Sequence, residues 1–296
     1  MTVLAVVIAL VAALLFAVAF VMQQRAAAEV PDEESLGVGL VTRLIRQPIW
    51  LIGTASDVLG YAAQAVALAL ASLVLVQPLL AASLLFALPL GAWWAKRRLR
   101  RSDAAWALAL TVGLAVFLIA GEPTDGVDRA DVTDWLIAGA VIVPVTAGCI
   151  LVAARGRGAR RAVLLAAATG ILYGVGAALT KSTVSLLDDG FVGVVTSWEP
   201  YALVAAIGLG TYLQQAAFQA GDLAQSLPAV QVLEPVVAVV LGIALLQEEL
   251  QADGLQWVLI ALAAVAMIVS TAALSRSQAE AQPTAPEPAP AAAAAG

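Results

Sequence analysis

Apolar residues run along this chain in long blocks separated by short polar breaks. The blocks fall at about 2–22, 48–71, 72–95, 103–121, 133–154, 162–180, 200–220, 223–246 and 255–274. A helix rises about 1.5 Å per residue, so about 20 apolar residues cross a hydrocarbon core of about 30 Å. The pattern therefore predicts about nine transmembrane helices. Blocks 48–71 and 72–95 almost touch, as do 200–220 and 223–246, and each pair is expected to form a tight hairpin. Two shorter apolar pieces, 36–46 and 190–198, follow the acidic pairs Glu33-Glu34 and Asp188-Asp189. They are too short to span and are expected to be interfacial or half-depth helices. The first block is read as a span rather than a cleaved leader. It lacks a basic start, and its apolar core exceeds the roughly 7–15 residues of a signal.

The block from Ser226 to Leu250, SLPAVQVLEPVVAVVLGIALLQEEL, holds Gln231, Glu234 and Pro235 near its centre. It has a partner earlier in the chain. Ser72, Leu73, Val76, Gln77 and Leu79 fall on Ser226, Leu227, Val230, Gln231 and Leu233 at a constant offset of 154. Ala62-Ala63 falls on Ala216-Ala217 at the same offset, Arg25 meets Lys181 at 156, and Trp106 meets Trp257 at 151. The chain reads as one unit copied twice.

Charge gives the orientation. Thirteen basic residues fall on one side of a nine-span arrangement: Arg25, Arg43, Arg46, Lys96, Arg97, Arg98, Arg100, Arg101, Arg155, Arg157, Arg160, Arg161 and Arg276. The other side holds only Arg129 and Lys181. The excess of Lys and Arg marks the cytoplasmic side. The N-terminus is expected outside and the C-terminus inside, in the cytoplasmic membrane. The loop after the first central stretch reads KRRLRRSD and its counterpart reads QEELQADG. Opposite charge in equivalent loops, with an odd number of spans between the copies, predicts an inverted repeat. The expected fold is all-α, a polytopic membrane helix bundle. The first repeat is expected at 1–121, a bridging helix and basic cytoplasmic loop at 122–161, the second, inverted repeat at 162–274, and a disordered Pro/Ala-rich cytoplasmic tail at 275–296.

Composition narrows the chemistry. The chain has 296 residues, 62% hydrophobic and 12% charged, with no histidine and one cysteine, Cys149. A soluble protein would carry about 25% charge. An intramolecular disulfide is excluded, and Cys149 is expected to serve packing. No nucleotide-binding loop, metal-ligand cysteine set or nucleophile–base constellation is visible, so the chain is not expected to be an enzyme or an ATP-driven pump. The basic cluster at 96–101 is expected to fix topology and touch anionic lipid, not nucleic acid. No cofactor is expected beyond an ion or proton for coupling. The expected partners are the bilayer and a small-molecule or ion substrate, with a homodimer left open.

The candidate site residues are polar groups at membrane depth, where an ionisable side chain is costly and marks function. Asp57 lies about ten residues into the second span and Glu234 about eleven into the eighth, both near the midplane. Gln77 and Gln231 are repeat mates, and Gln64, Gln214, Gln215 and Gln219 add amides. A midplane site between the repeats is expected from Asp57, Gln64, Gln77, Gln215, Gln231 and Glu234, with helix breaks beside it at Pro78 and Pro235. The plainer alternative is that these residues join helices by hydrogen bonds. Glu199 and Asp222 are expected at the interface, Glu248 and Glu249 in solvent, and Arg25 and Lys181 snorkelling at helix ends. Gly170, Gly174 and Gly176 make a thin helix face for close packing.

The run LEPVVAVVLGIALLQEEL resembles the second-repeat signature of the drug/metabolite transporter (EamA-like) superfamily, E-P-V-x-A-x-L-L-G-x-x-L-L-G-E-x-L. Glu234, Pro235, Val236, Ala238, Leu241, Gly242, Leu245, Leu246, Glu248 and Leu250 match it, whereas Val240 and Gln247 replace a Leu and a Gly. The first-copy run ALASLVLVQPLLAASLLF and the opening Trp50-Leu51-Ile52-Gly53 are similar to the NIPA-like magnesium-transporter branch. That branch carries an acidic residue near Ser56-Asp57, a place that Asp57 can take. The resemblance covers about 1–275 and implies secondary transport by alternating access. The Glu-Pro pair implies a metabolite exporter. The NIPA-like features imply Mg²⁺ or another divalent cation as substrate, with Asp57 and Glu234 as its ligands. A non-transporting membrane scaffold is the competing class.

Overall fold

The computed structural model describes residues 2–28, 46–94, 99–220 and 223–280. Eleven α-helices of seven or more residues occur among them. They are α1 (Thr2–Ala28), α2 (Pro48–Leu70), α3 (Leu73–Leu80), α4 (Ser83–Trp94), α5 (Arg101–Gly121), α6 (Val132–Arg155), α7 (Gly158–Ser185), α8 (Gly190–Thr196), α9 (Glu199–Ala220), α10 (Leu223–Ala244) and α11 (Leu255–Glu280). A 3₁₀ turn, Leu186–Asp189, precedes α8. Eight segments among the described residues are long and apolar enough to cross a membrane, with α3 and α4 counted as one. Helix α9 has the length, at 22 residues, but its glutamines and Glu199 lower its apolarity. Large hydrophobics on outward faces, such as Leu136, Ile137, Val141 and Val143 of α6, are exposed in the isolated chain. A lipid solvent accounts for them. The chain is an all-α, multi-pass membrane helix bundle.

Helix α1 packs along α2 and reaches α3 and α4, whereas α7 packs against α6, α9 and α10. Helix α11 closes the bundle against α5 and α10. Glycines set the closest contacts. A Cβ on Gly170 would lie 2.8 Å from Leu233 Cβ, and one on Gly174 would lie 2.7 Å from Val237 Cβ. Gly176 faces Ile207 of α9 instead. The thin face of α7 therefore serves close packing, as its spacing predicted.

The ends of the bundle are chemically distinct. At one end, β1 (Pro123–Thr124) pairs antiparallel with β2 (Glu249–Leu250), and Arg129 meets Glu199. We call this the strand end. At the opposite end Arg25 lies 5.0 Å over the Trp94 ring, and Ser277 Oγ donates to Asp103 Oδ1 at 2.8 Å.

Several expectations change. Helix α10 runs unbroken through Pro228 and Pro235, so Pro235 makes no helix break. The break falls in the first half of the chain. There α3 ends at Leu80, just after Pro78, and Ala81 and Ala82 turn through i→i+3 bonds to Pro78 and Leu79 before α4 begins. The loop between α6 and α7 is only 156–157, so Arg160 and Arg161 ride on a helix. Helix α11 continues through 275–280, and Ser275 and Gln278 are buried. The helix therefore runs past the predicted boundary at 274. Helix α8 carries an exposed apolar surface, with Phe191 80% exposed, as an interfacial helix would. Arg43, Lys96, Arg97, Arg98, Asp222, the piece 36–46 up to its last residue, and the chain beyond 280 lie outside the described residues.

Candidate functional site

The helix period sets the polar groups in register. Asp57, Tyr61 and Gln64 stand at i, i+4 and i+7 on α2, and therefore share one face. Thr211, Gln214 and Gln215 share a face of α9 at i, i+3 and i+4, as do Gln231, Glu234 and Pro235 on α10. These three faces line a single cavity of about 480 Å³. Gln77 of α3, Ser83 and Ala87 of α4, Tyr173 of α7 and Gln278 of α11 complete it, with Phe16, Phe20 and Gln23 of α1. All six residues expected at the site, Asp57, Gln64, Gln77, Gln215, Gln231 and Glu234, line this cavity. Pro235 lines it as well. Pro78 does not, and lines instead a smaller apolar recess of about 220 Å³ with Val232, Val236 and Met267.

The cavity wall is held by local contacts. Gly60 lets Phe16 approach α2, since a Cβ there would lie 2.9 Å from the Phe16 ring. Phe16 then meets Tyr61 edge-on, with centroids 5.1 Å apart. Gln23 stands on the cavity lining with the Asp57 carboxylate. Tyr173 Oη donates to Gln214 Oε1 at 3.1 Å and lies 3.1 Å from Thr211 Oγ1. Two amides are buried without a partner among the described residues. Gln77 Nε2 and Gln278 Nε2 belong to side chains of residues 2% and 7% exposed. Such donors are costly unless a ligand or water accepts from them. Among the described residues, no Lys or Arg lines the cavity. Its chemistry is that of two carboxylates, several amides and aromatic faces, suited to a cation that also carries hydrogen-bonding groups.

Sequence reasoning missed several of these residues. Tyr61 was legible as the i+4 neighbour of Asp57. Tyr173 lay inside a glycine face that reads as packing. Gln278 lay past the expected end of its span.

A second polar cluster overturns two expectations. Lys181 does not snorkel, and Glu248 does not end a helix in solvent; they are 3% and 1% exposed. Lys181 Nζ donates to Glu248 Oε1 at 2.8 Å and to the Ala71 carbonyl at 3.4 Å. The backbone N–H groups of Leu73 and Val74 donate to Glu248 Oε1 and Oε2 at 2.7 and 2.8 Å. Glu248 thus fills the anion site that the N-terminus of α3 offers, while Ser72 caps Leu75. Backbone geometry turns Glu248 inward. Gln247 adopts the left-handed region at φ 54°, and the Glu248 N–H returns to the Gly242 carbonyl at 3.0 Å. Glu199 is also buried rather than interfacial, since Arg129 Nε and Nη2 both donate to its Oε1, at 3.2 and 2.7 Å.

No protein-family profile matches the chain, and no solved structure matches it. Among curated proteins it is similar to "Uncharacterized protein Cgl0250/cg0304" of Corynebacterium glutamicum. The two are 37% identical over 273 residues, 92% of this chain and 94% of the relative. The shared length takes in nearly the whole bundle, and the chain belongs to the same family as this corynebacterial protein.

Proposed function

We propose that the chain is a secondary transporter of the drug/metabolite type, moving a small polar metabolite or cation across the cytoplasmic membrane by alternating access. The observation that carries this reading is the polar cavity among the described residues, to which both halves of the chain contribute. In this reading α9 also spans, as the seventh of nine helices, the N-terminus is outside and the strand end faces outward.

The inverted repeat draws support from the cavity lining. Asp57 and Thr211, Tyr61 and Gln215, Gln77 and Gln231, Leu80 and Glu234, and Ala81 and Pro235 each differ by 154, and all ten residues line the cavity. Helix α1 packs on α2 as α7 packs on α9. Tags in the loops at 96–103 and 247–254 test the inversion, and reactivity of both from one side of the membrane would sink it.

The lining favours an amine-bearing substrate, because aromatic faces stand beside the carboxylates and, among the described residues, no basic group lines the cavity with them. Mg²⁺ is the named alternative, held through waters by Asp57, Glu234 and amide oxygens. A proteoliposome flux panel of divalent cations, amino acids and cationic drugs separates them, repeated with Asp57→Asn and Glu234→Gln. Flux of amines that falls in both variants is the expected result. Flux of divalent cations alone would replace the amine reading. Loss of folding in both variants with no flux of any solute would favour a scaffold instead.

A further inference from the structure

We propose that Lys181 and Glu248 form a latch that closes the cavity at the strand end, and that transport requires this latch to open. The proposal rests on the transport reading. Three observations carry it.

The cluster joins the two halves of the chain. Lys181 and Glu248 belong to the second half, whereas Ala71, Leu73 and Val74 belong to the first. The joint sits one helical turn from the cavity, since Gln77 stands four residues after Leu73 on α3. Motion of the α3 N-terminus therefore moves a lining residue.

The cavity extends away from the latch. Its lining reaches Gln23 near the end of α1 and Gln278 near the end of α11, both at the opposite end of the bundle. Towards the latch, Leu73, Val74, Val76, Leu241, Leu245 and Leu246 form a buried apolar plug. The described conformation is thus closed at the strand end and extends toward the other.

The two repeats place related pairs at the two ends. Lys181 and Glu248 correspond to Arg25 and Trp94 at offsets of 156 and 154. Arg25 lies over the Trp94 ring. Each end holds a basic residue of one helix against the end of another, with a carboxylate at one end and an aromatic ring at the other.

The test reads access rather than stability. In a Cys149→Ala background, Ser83→Cys places a thiol on the cavity lining. A membrane-impermeant thiosulfonate is added to either face of sealed vesicles holding the full chain. With the latch intact, labelling is expected from the Arg25 face and protection from the strand-end face. Lys181→Met is expected to raise labelling from the strand-end face at least tenfold, and Lys181→Arg to restore protection. Gly242→Ala is a second perturbation, because its Cβ would lie 2.6 Å from Glu248 Oε2. It is expected to raise strand-end labelling too, and serves if Lys181→Met does not fold. Unchanged protection in a folded variant would overturn the latch, as would free labelling of the parent from the strand-end face. The labelling needs no substrate. A shift in access without flux of any solute would sink the transport reading alone, and flux without a shift would sink the latch alone.

Discussion

A double-mutant cycle on Lys181 and Glu248 measures how much of the fold depends on their contact. Lys181→Met removes the cation but leaves the carboxylate with two backbone donors and the positive end of α3. Hydrogen bonds to a charged group contribute about 1.5–3 kcal/mol each, so this variant should lose about 2–3 kcal/mol. Glu248→Gln is worse. One amide oxygen can still accept, but the amide nitrogen must face a backbone N–H, and the ammonium keeps only the longer contact to the Ala71 carbonyl. Stranding one partner of a buried pair costs about 3–5 kcal/mol. The two single losses then sum to roughly 5–8 kcal/mol. The double variant no longer strands a charge, and should lose only about 3–4 kcal/mol, mostly from the poorly paired end of α3. The coupling is therefore about 2–4 kcal/mol, above the roughly 0.5 kcal/mol within which independent sites add. Reversible unfolding in mixed micelles, followed by helicity, gives all four corners of the cycle. Simple additivity of the two single losses would refute the reasoning.

Other outcomes follow from the same geometry. Gln247→Gly should stabilise the fold by about 1 kcal/mol, since a side chain in the left-handed region is strained and glycine is not; a lower unfolding midpoint would contradict this. Gly174→Val should lower stability by about 1–3 kcal/mol, because its Cβ meets Val237 and the Glu234 carbonyl and overpacking costs that much; micelle unfolding reads it. Arg129→Met should cost about 2–4 kcal/mol by stranding the buried Glu199, whereas Asp189→Asn, at an exposed pair of 3.9 Å, should change stability by less than about 0.5 kcal/mol. Tyr173→Phe, which removes the bond to Gln214, should weaken substrate affinity in flux assays by about 0.5–1.5 kcal/mol, or several-fold, with stability little changed.

The apolar pattern made the helices legible, because length and hydropathy alone decide what can lie in lipid. The six lining residues were legible for a related reason. A polar group at membrane depth must face protein or water, so Asp57, Gln64, Gln77, Gln215, Gln231 and Glu234 could point only inward. The same reasoning failed at helix ends. Lys181 and Glu248 stand where a charge can reach water, and nothing in their local pattern says that they do not. Their burial follows from a tertiary contact with the start of α3, more than 100 residues from Lys181. Proline was also a poor guide. Pro235 lies within unbroken α10, while the chain breaks after Pro78, at the end of α3. The departure of Gln247 from glycine was visible in the sequence, but its left-handed backbone was not.

The short strand pair at one end has a mechanical consequence. Val127 N–H donates to the Leu246 carbonyl at 2.7 Å, and Pro123–Thr124 pairs with Glu249–Leu250. A Cβ on Gly126 would lie 1.9 Å from that carbonyl, so the two loops are seated against each other. Glu248 is thus bracketed on both sides by residues tied to the α5–α6 loop through backbone bonds. Its carboxylate contacts with α3 have no such reinforcement. If the contact parts, Glu248 stays moored and the start of α3, tied to α2 only by Ala71-Ser72, is the side left to move, with the turn at Ala81–Ala82 as its pivot. An eight-residue helix anchored at a kink and released at its tip is a lever, and Gln77 sits midway along its arm.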